Sequence, residues 1–229
     1  YSISGLTANT DYDIYVQADC GSDQSAYVGP ISITTPCNAV SAPFDEPFSA
    51  SLPNCWSMSG GENWLFTDTY IGFGNGHAGN AGVMNGSTTS GGHFAGVDAS
   101  GHSGTATLSS PAIDVSTLSS AQLSFFLISH EEGSGYNSTL SIFCNGDSLV
   151  SYTGNTPGGW EQKFVDLSAY TGTVQINFVF SEDPATGAYY DDLAIDDVSV
   201  GEAPSCSQPS GLSASNVTDV SADLSWTAG

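Results

Sequence analysis

The chain has 229 residues, enough for one large β domain or for one to two domains of average size. It has 24 Asp and Glu residues, one Lys (Lys163), no Arg and four His, so the formal net charge with His neutral is -23. Nucleic acids and anionic membranes are bound through Lys and Arg, and this composition therefore argues against both as partners. A content of 39% hydrophobic and 11% aromatic residues favours a folded chain over a disordered one.

The sequence also gives expectations about the compartment. No stretch approaches the roughly 20 apolar residues of a membrane-spanning helix, so we expect no membrane insertion. No signal peptide is visible and the sequence opens within a strand pattern at Tyr1, which indicates a piece of a longer polypeptide. Five cysteines without a CxxC pair argue against a zinc site and suit an oxidising compartment. We therefore expect a secreted or cell-surface protein.

Short alternating runs bounded by Gly, Ser, Asn and Pro recur along the chain, and almost nothing has helical periodicity. In chain order the runs are DYDIYVQADC, ISITTP, QLSFFLISH, STLSIFCNG, TVQINFVFSE and LAIDDVSV. Many short strands separated by turn signals predict an all-β sandwich or barrel. The Gly-rich segment 71–92 predicts a long loop or a set of loops, which in such folds often carries binding.

Two boundaries rich in Pro and Cys divide the chain into segments 1–36, 37–203 and 204–229. The first segment has a Gly-Leu pair, then a Thr, then Tyr12 at the start of an alternating strand. It resembles the second half of an immunoglobulin-like fibronectin type III module, in which Tyr12 would be the corner tyrosine whose hydroxyl bonds back to the backbone. The last segment resembles the first half of such a module, with Trp226 as its core tryptophan. Neither half has enough strands to close a core alone.

The middle segment carries a series of motifs in a characteristic order. They are FDEPF (44–48), CW (55–56), NW (63–64), GGHFAGVD (91–98), ATLSSPAID (106–114), LSFFLIS (123–129) and DDLAIDDVSV (191–200). In order and spacing they resemble MAM domains and the related adhesin jelly rolls of secreted bacterial surface proteins. The resemblance implies a jelly-roll β-sandwich over 37–203. It also implies that Trp56, Trp64 and Trp160 are core residues.

Four of the ten residues in DDLAIDDVSV are aspartates, although the run otherwise has the pattern of a buried strand. In jelly rolls of this kind the first and last strands are neighbours, and the resemblance implies a structural Ca²⁺ where they meet. Ca²⁺ takes about six to eight oxygen ligands, and clustered carboxylates without a cation raise one another's pKa. The leading predicted ligands are Glu46 and Asp196, and the further candidates are Asp197, Asp98, Asp192 and Asp45. The alternative is that these acids only face solvent, in a protein with acids throughout.

The cysteines have different expected roles. Cys37 and Cys55 bracket the first strand of the jelly roll, and we predict that they pair. A loop of roughly 20 residues closed in this way contributes about 3 kcal/mol through the entropy of the unfolded chain. The fibronectin resemblance implies that Cys20 and Cys206 pair with residues outside this chain. Cys144 lies on the apolar face of STLSIFCNG, which predicts a buried free thiol.

No catalytic motif is complete in the sequence. The segment SHEEGSG (129–135) lacks the second His of HExxH, and GHSGT (101–105) is not GxSxG. Nothing singles out one carboxylate pair for glycoside hydrolysis among so many acids. We therefore expect the chain not to be an enzyme.

The resemblance implies adhesion or structural display by an extracellular module of a long repeat-containing protein. Its partners would be cell-surface or extracellular proteins or glycans and the neighbouring modules. Two alternatives stay open: a carbohydrate-binding accessory domain of a large secreted enzyme, and a subunit or spacer of an extracellular filament. Sugar binding needs exposed aromatic rings, although most aromatics in a β domain belong to the core. The candidates are Tyr136, Tyr189 and Tyr190, which lie in loop-like sequence, and Tyr70.

Overall fold

The computed structural model describes residues 1–68, 92–98, 104–129, 138–154, 156, 159–182, 192–206 and 210–227. These ranges consist of strands, turns and irregular segments. No helix within them is long and apolar enough to cross a membrane. The prediction of an all-β fold is therefore confirmed.

The strands are short, and most of them pair in antiparallel fashion. In chain order they are β1 (Asp11–Val16), β2 (Val28–Thr34), β3 (Val40–Ser41), β4 (Phe44–Glu46), β5 (Ser57–Gly60), β6 (Leu65–Thr67), β7 (Phe94–Val97), β8 (Thr105–Ser109), β9 (Ile113–Asp114), β10 (Ala121–Ser129), β11 (Thr139–Cys144), β12 (Asp147–Thr153), β13 (Glu161–Asp166), β14 (Thr173–Val174), β15 (Ile176–Ser181), β16 (Leu193–Glu202), β17 (Ser210–Ser215) and β18 (Asp223–Thr227).

Two facing sheets form a sandwich from residues 40–202. The first sheet has the strand order β13-β10-β16-β7-β6, and β4 also pairs with β16. The second sheet has the order β12-β11-β15-β8-β5, and a small third sheet has the order β14-β9-β3. One edge of β16 pairs with β10, while the other edge pairs first with β7 and then with β4. The last strand of the sandwich thus lies beside one of its first strands, as the jelly-roll resemblance implies.

The core lies between the two sheets. It consists of the side chains at every second strand position, which point inward. Phe125 of β10 meets Phe178 of β15 edge to face, with ring centroids 5.3 Å apart, and Trp56 stacks on Phe178. Trp56 and Trp64 are buried, as the resemblance implies. Trp160 differs, because it is only half-buried and packs on a small separate apolar cluster at the outer face of the first sheet.

The cysteines divide into one bonded pair and three free thiols. Cys37 and Cys55 form a disulfide with their Cα atoms 5.9 Å apart. Cys144 is a buried free thiol of the main core, whereas Cys20 and Cys206 are exposed. The bonded pair ties the segment before β3 to the segment before β5, next to the buried Trp56.

The two terminal segments form separate hairpins, β1–β2 and β17–β18. In the first hairpin the Tyr12 hydroxyl accepts a hydrogen bond from the Thr7 backbone N–H at 2.8 Å, the contact that the fibronectin resemblance implies. The apolar residues of both hairpins are largely uncovered: Val28 is 76% exposed, Leu212 73% and Trp226 59%. The assignment of these segments to fibronectin type III modules stays a prediction.

Candidate functional site

The run LAIDDVSV forms most of β16, and a β-bulge explains how a buried strand accommodates its aspartates. The residues that reach the main core are Leu193, Ile195, Val198 and Val200. The step from Ile195 to Val198 is one residue longer than the strand period of two. The pairing with β10 shifts at this point, and Asp197 takes up the extra residue in the left-handed conformation, with φ 48°. Asp tolerates that conformation better than most residues.

Asp196 lies on the opposite face of the sheet from Ile195, because neighbouring residues of a strand alternate. It is nevertheless fully buried. Its Oδ1 accepts a hydrogen bond from the backbone N–H of Asp197 at 2.8 Å, so this carboxylate holds the bulge. On the same outer face Ala194 packs in a small cluster with Phe94 and Ile128.

An open cavity of about 250 Å³ lies where β4 meets β16. It is lined by Asp45, Glu46, Pro47, Asp197 and Val198. Glu46 and Val198 are directly paired across the two strands, which places the cavity beside the bulge. Three of the six predicted metal ligands therefore line one cavity.

Glu46 is the half-buried acid of this cavity. Its Oε1 accepts a hydrogen bond from the backbone N–H of Phe48 at 2.9 Å. Burial raises the pKa of Glu46, and this hydrogen bond and the nearby Trp56 indole only partly oppose the rise. The indole nitrogen of Trp56 makes no hydrogen bond of standard geometry, so its influence on Glu46 is a weak one. A cation in the cavity would lower the cost of ionising this carboxylate.

Asp98 and Asp192 lie at the other end of β16. Val97 pairs with Leu193, so the antiparallel register continues to these two acids. Asp192 is fully buried and Asp98 half-buried. Four strand residues, or about 13 Å, separate Asp192 from Asp196. The predicted ligands therefore fall into groups too far apart to share one ion.

The β4–β16 cavity suits Ca²⁺ in chemistry but does not enclose it with side chains alone. In the ranges that the structure describes, no three or more His, Cys, Asp or Glu side chains are placed to hold a metal ion. Asp196, a leading candidate, is not among the described residues that line the cavity. Ca²⁺ also takes backbone carbonyls and waters as ligands, and a site here would depend on them.

The outer face of the first sheet carries an aromatic strip that the sequence motifs did not single out. Phe164 of β13 is 42% exposed, and Phe126 and Trp160 are half-buried. The paired positions Phe126 and Gln162 bring the strip across β10 and β13. The signal was present in the sequence, since Phe164 alternates with a core residue, Val165, and so faces outward.

The predicted sugar-binding tyrosines were Tyr70, Tyr136, Tyr189 and Tyr190. All four lie outside the described residues.

The comparisons with known proteins identify the family. Residues 54–207 match the family described as MAM domain, meprin/A5/mu. This match covers more than half of the chain, so the chain belongs to the MAM domain family, as the motif order predicted. No curated protein matches the sequence.

Several solved structures are distantly similar. The K1 cleaved adhesin domain of Lys-gingipain from Porphyromonas gingivalis W83 is 17% identical over 71% of this chain and 99% of that chain, with a TM-score of 0.49. TmCBM61, solved in complex with beta-1,4-galactotriose, is 15% identical over 66% of this chain and 90% of that chain, with a TM-score of 0.45. The CBM22-1 xylan-binding domain from Paenibacillus barcinonensis Xyn10C is 11% identical over 73% of this chain and 100% of that chain, with a TM-score of 0.40. Likenesses this distant identify no ligand of the present chain.

Proposed function

We propose that the chain is a non-enzymatic extracellular binding module whose sandwich recognises a protein or glycan in an adhesive or structural role. Membership of the MAM family and the disulfide of Cys37 and Cys55, which suits an oxidising compartment, support the proposal. The observation that carries it is the aromatic strip on the outer face of the first sheet. Aromatic side chains on a rigid sheet supply large contact areas at a small cost in conformational entropy.

Phe164 is the residue of the strip to test, because it is the most exposed. The full chain is titrated against arrays of extracellular proteins and of glycans. We expect saturable binding that Phe164→Ala weakens about tenfold, the effect of losing an aromatic anchor. Met58→Ala is the matched control, since Met58 is 37% exposed but belongs to the second sheet. Equal binding by wild type and Phe164→Ala would remove the strip from the function.

The array result also separates the alternatives. Binding confined to glycans favours a carbohydrate-binding accessory domain. Binding confined to proteins favours adhesion. Whichever class of ligand binds, Phe164→Ala should bind it more weakly than Met58→Ala does.

One observation favours the third role, a filament subunit or spacer. Both terminal hairpins present uncovered apolar residues, among them Val28 and Leu212. Uncovered apolar surface of this kind is typical of contact sites, in neighbouring modules or in other copies. Sedimentation over a range of concentrations tests it. Concentration-dependent assembly without binding on either array would replace adhesion by the filament role.

We also propose that Ca²⁺ binds in the β4–β16 cavity and has a structural role. Three acidic residues, Asp45, Glu46 and Asp197, line the cavity, and the raised pKa of Glu46 marks a carboxylate that a nearby cation would stabilise, with backbone carbonyls and waters as further ligands. A bound ion would connect strands that are far apart in the sequence.

A further inference from the structure

The first hairpin has two chemically different faces. Asp13 pairs with Ser32, and the Ser32 hydroxyl donates a hydrogen bond to the Asp13 carboxylate. Strand alternation places Tyr15 on this same face and Ile14 on the opposite, apolar face. The first face is therefore polar and aromatic, and it is separate from the apolar face.

Two tyrosines form an open corner on the polar face. The rings of Tyr15 and Tyr27 meet at 82° with centroids 6.4 Å apart. Tyr15 is 52% exposed and Tyr27 is 67% exposed. They line a cavity of about 320 Å³, large enough for a small organic group.

The backbone fixes this corner at Gly29. The pairing of β1 with β2 shifts opposite Tyr15, and Gly29 has φ +136°. A Cβ atom at Gly29 would lie 2.6 Å from the Ile14 carbonyl oxygen and 3.2 Å from Cδ1 of Tyr15. Only glycine allows β2 to pass so close to the tyrosine ring.

The electrostatic surroundings of the corner favour a cation. Segment 1–36 contains four aspartates and no Lys or Arg. The only Lys or Arg side chain of the protein, Lys163, lies 5.3 Å from the ring centroid of Tyr152 and forms an ion pair with Glu161 at 2.7 Å. The only Lys side chain of the chain therefore already contacts an aromatic ring elsewhere.

We propose that the Tyr15–Tyr27 corner binds a small alkylated ammonium group, such as a quaternary ammonium. The faces of aromatic rings carry negative electrostatic potential, and cations bind over them within about 6 Å of the centroid. The net charge of -23 raises the local concentration of cations and repels anionic ligands. Neutral saccharides and proline-rich peptides can use the same rings but gain nothing from this charge. The site does not depend on the function proposed for the sandwich.

Choline chloride and its neutral isostere 3,3-dimethylbutan-1-ol give a direct test. The full chain is titrated with each at fixed ionic strength, and chemical shifts of the ring and backbone protons are followed by NMR. We expect choline to bind in the millimolar range, and the isostere to bind at least about fivefold more weakly. Tyr15→Leu and Tyr27→Leu should each weaken choline binding about two- to fivefold. Tyr1→Leu is the matched control, since Tyr1 is a fully exposed tyrosine of the same segment.

Two kinds of result would contradict cation binding at the Tyr15–Tyr27 corner. Equal binding of choline and the isostere, or no shift up to about 100 mM choline, overturns it. Binding of a neutral oligosaccharide or a proline-rich peptide in place of choline also overturns it. The Thr7 amide resonance, which reports the Tyr12 contact, shows whether each variant keeps the hairpin fold. Phosphatidylcholine vesicles form a second arm, which distinguishes a head group on a lipid surface from a free one.

Discussion

The sandwich and the terminal hairpins are built from the same alternation of apolar and polar residues, but only the sandwich buries its apolar side. Leu108 of β8 is fully buried, whereas Leu212 of β17 is 73% exposed. The sandwich has two facing sheets, and each hairpin is a single two-stranded layer. Alternation thus determines which face of a strand is apolar, while a second layer determines whether that face is buried.

The same two leucines give the largest expected contrast. Leu108→Ala should lower the free energy of unfolding by about 2–5 kcal/mol, because it leaves a cavity in a closed core. Leu212→Ala should change it by less than about 0.5 kcal/mol. Denaturant unfolding of the full chain measures both. Similar losses for the two variants would mean that the hairpin face is covered in solution.

Loss of the disulfide should have the next largest effect on the free energy of unfolding. Replacing both Cys37 and Cys55 by Ala should cost about 3 kcal/mol, since the unfolded chain then gains loop entropy. Cys20→Ala and Cys206→Ala are the controls, and both thiols are free and exposed. We expect neither control to shift the unfolding midpoint measurably. A double variant as stable as wild type would show that the bond does not contribute to folding.

Calcium should stabilise the sandwich through the β4–β16 cavity. At a hundredfold excess over its Kd, binding to the native state alone contributes about 2.7 kcal/mol, which raises the midpoint of thermal unfolding by several degrees relative to a chelator. Glu46→Gln and Asp197→Asn should abolish the shift. Asn also tolerates the left-handed conformation at position 197, so this variant changes charge without changing the bulge.

Asp219→Asn is the control for this measurement, because Asp219 is an exposed acid of the second hairpin. It should leave the calcium shift unchanged. No shift in wild type would remove the calcium site. A shift that all three variants keep would place the ion at another site.

The smallest expected effect concerns Cys144 and pH. Burial, with a smaller contribution from the charge of Asp147, raises the pKa of this thiol from 9.0 to about 11. Between these values the unfolded chain releases the proton and the native chain keeps it, so stability should fall as pH rises. Cys144→Ala should reduce the slope. Part of the slope should persist, because burial also raises the pKa of Tyr152.

Unfolding free energies at several pH values between about 8 and 10.5 measure this slope. An unchanged slope in Cys144→Ala would mean that the thiol does not titrate differently in the native state.

Much of the fold was predictable because strand alternation and turn signals are local. The all-β class follows from the short alternating runs. The family follows from the order of the motifs. The bulge in β16 was also encoded, since the core residues Leu193 and Ile195 are followed by Val198 and Val200, one residue out of phase. Treating LAIDDVSV as an uninterrupted strand overlooks this shift. It also hides the fact that Asp196 and Val198 face opposite sides.

The sequence alone could not predict which residues come together at the candidate sites. Asp45 and Glu46 meet Asp197 only because β4 pairs with β16, a contact across about 150 residues of sequence. The same strand carries Asp192 away from that cavity. The corner of Tyr15 and Tyr27 depends on a shifted hairpin register, which the motifs of a resembling family do not specify.

The presence of a single Lys, within β13, also affects how proteases can cut the chain. Trypsin cleaves after Lys or Arg, and this chain has only one such position. That peptide bond lies inside β13, whose backbone is paired along its whole length with β10. A protease needs an extended, unpaired segment, so cutting requires that β13, the edge strand of the first sheet, detach from β10. The rate of this single cleavage, which yields fragments 1–163 and 164–229, would thus report how often β13 detaches from the sheet, and the intact chain resists such enzymes for as long as that strand stays paired.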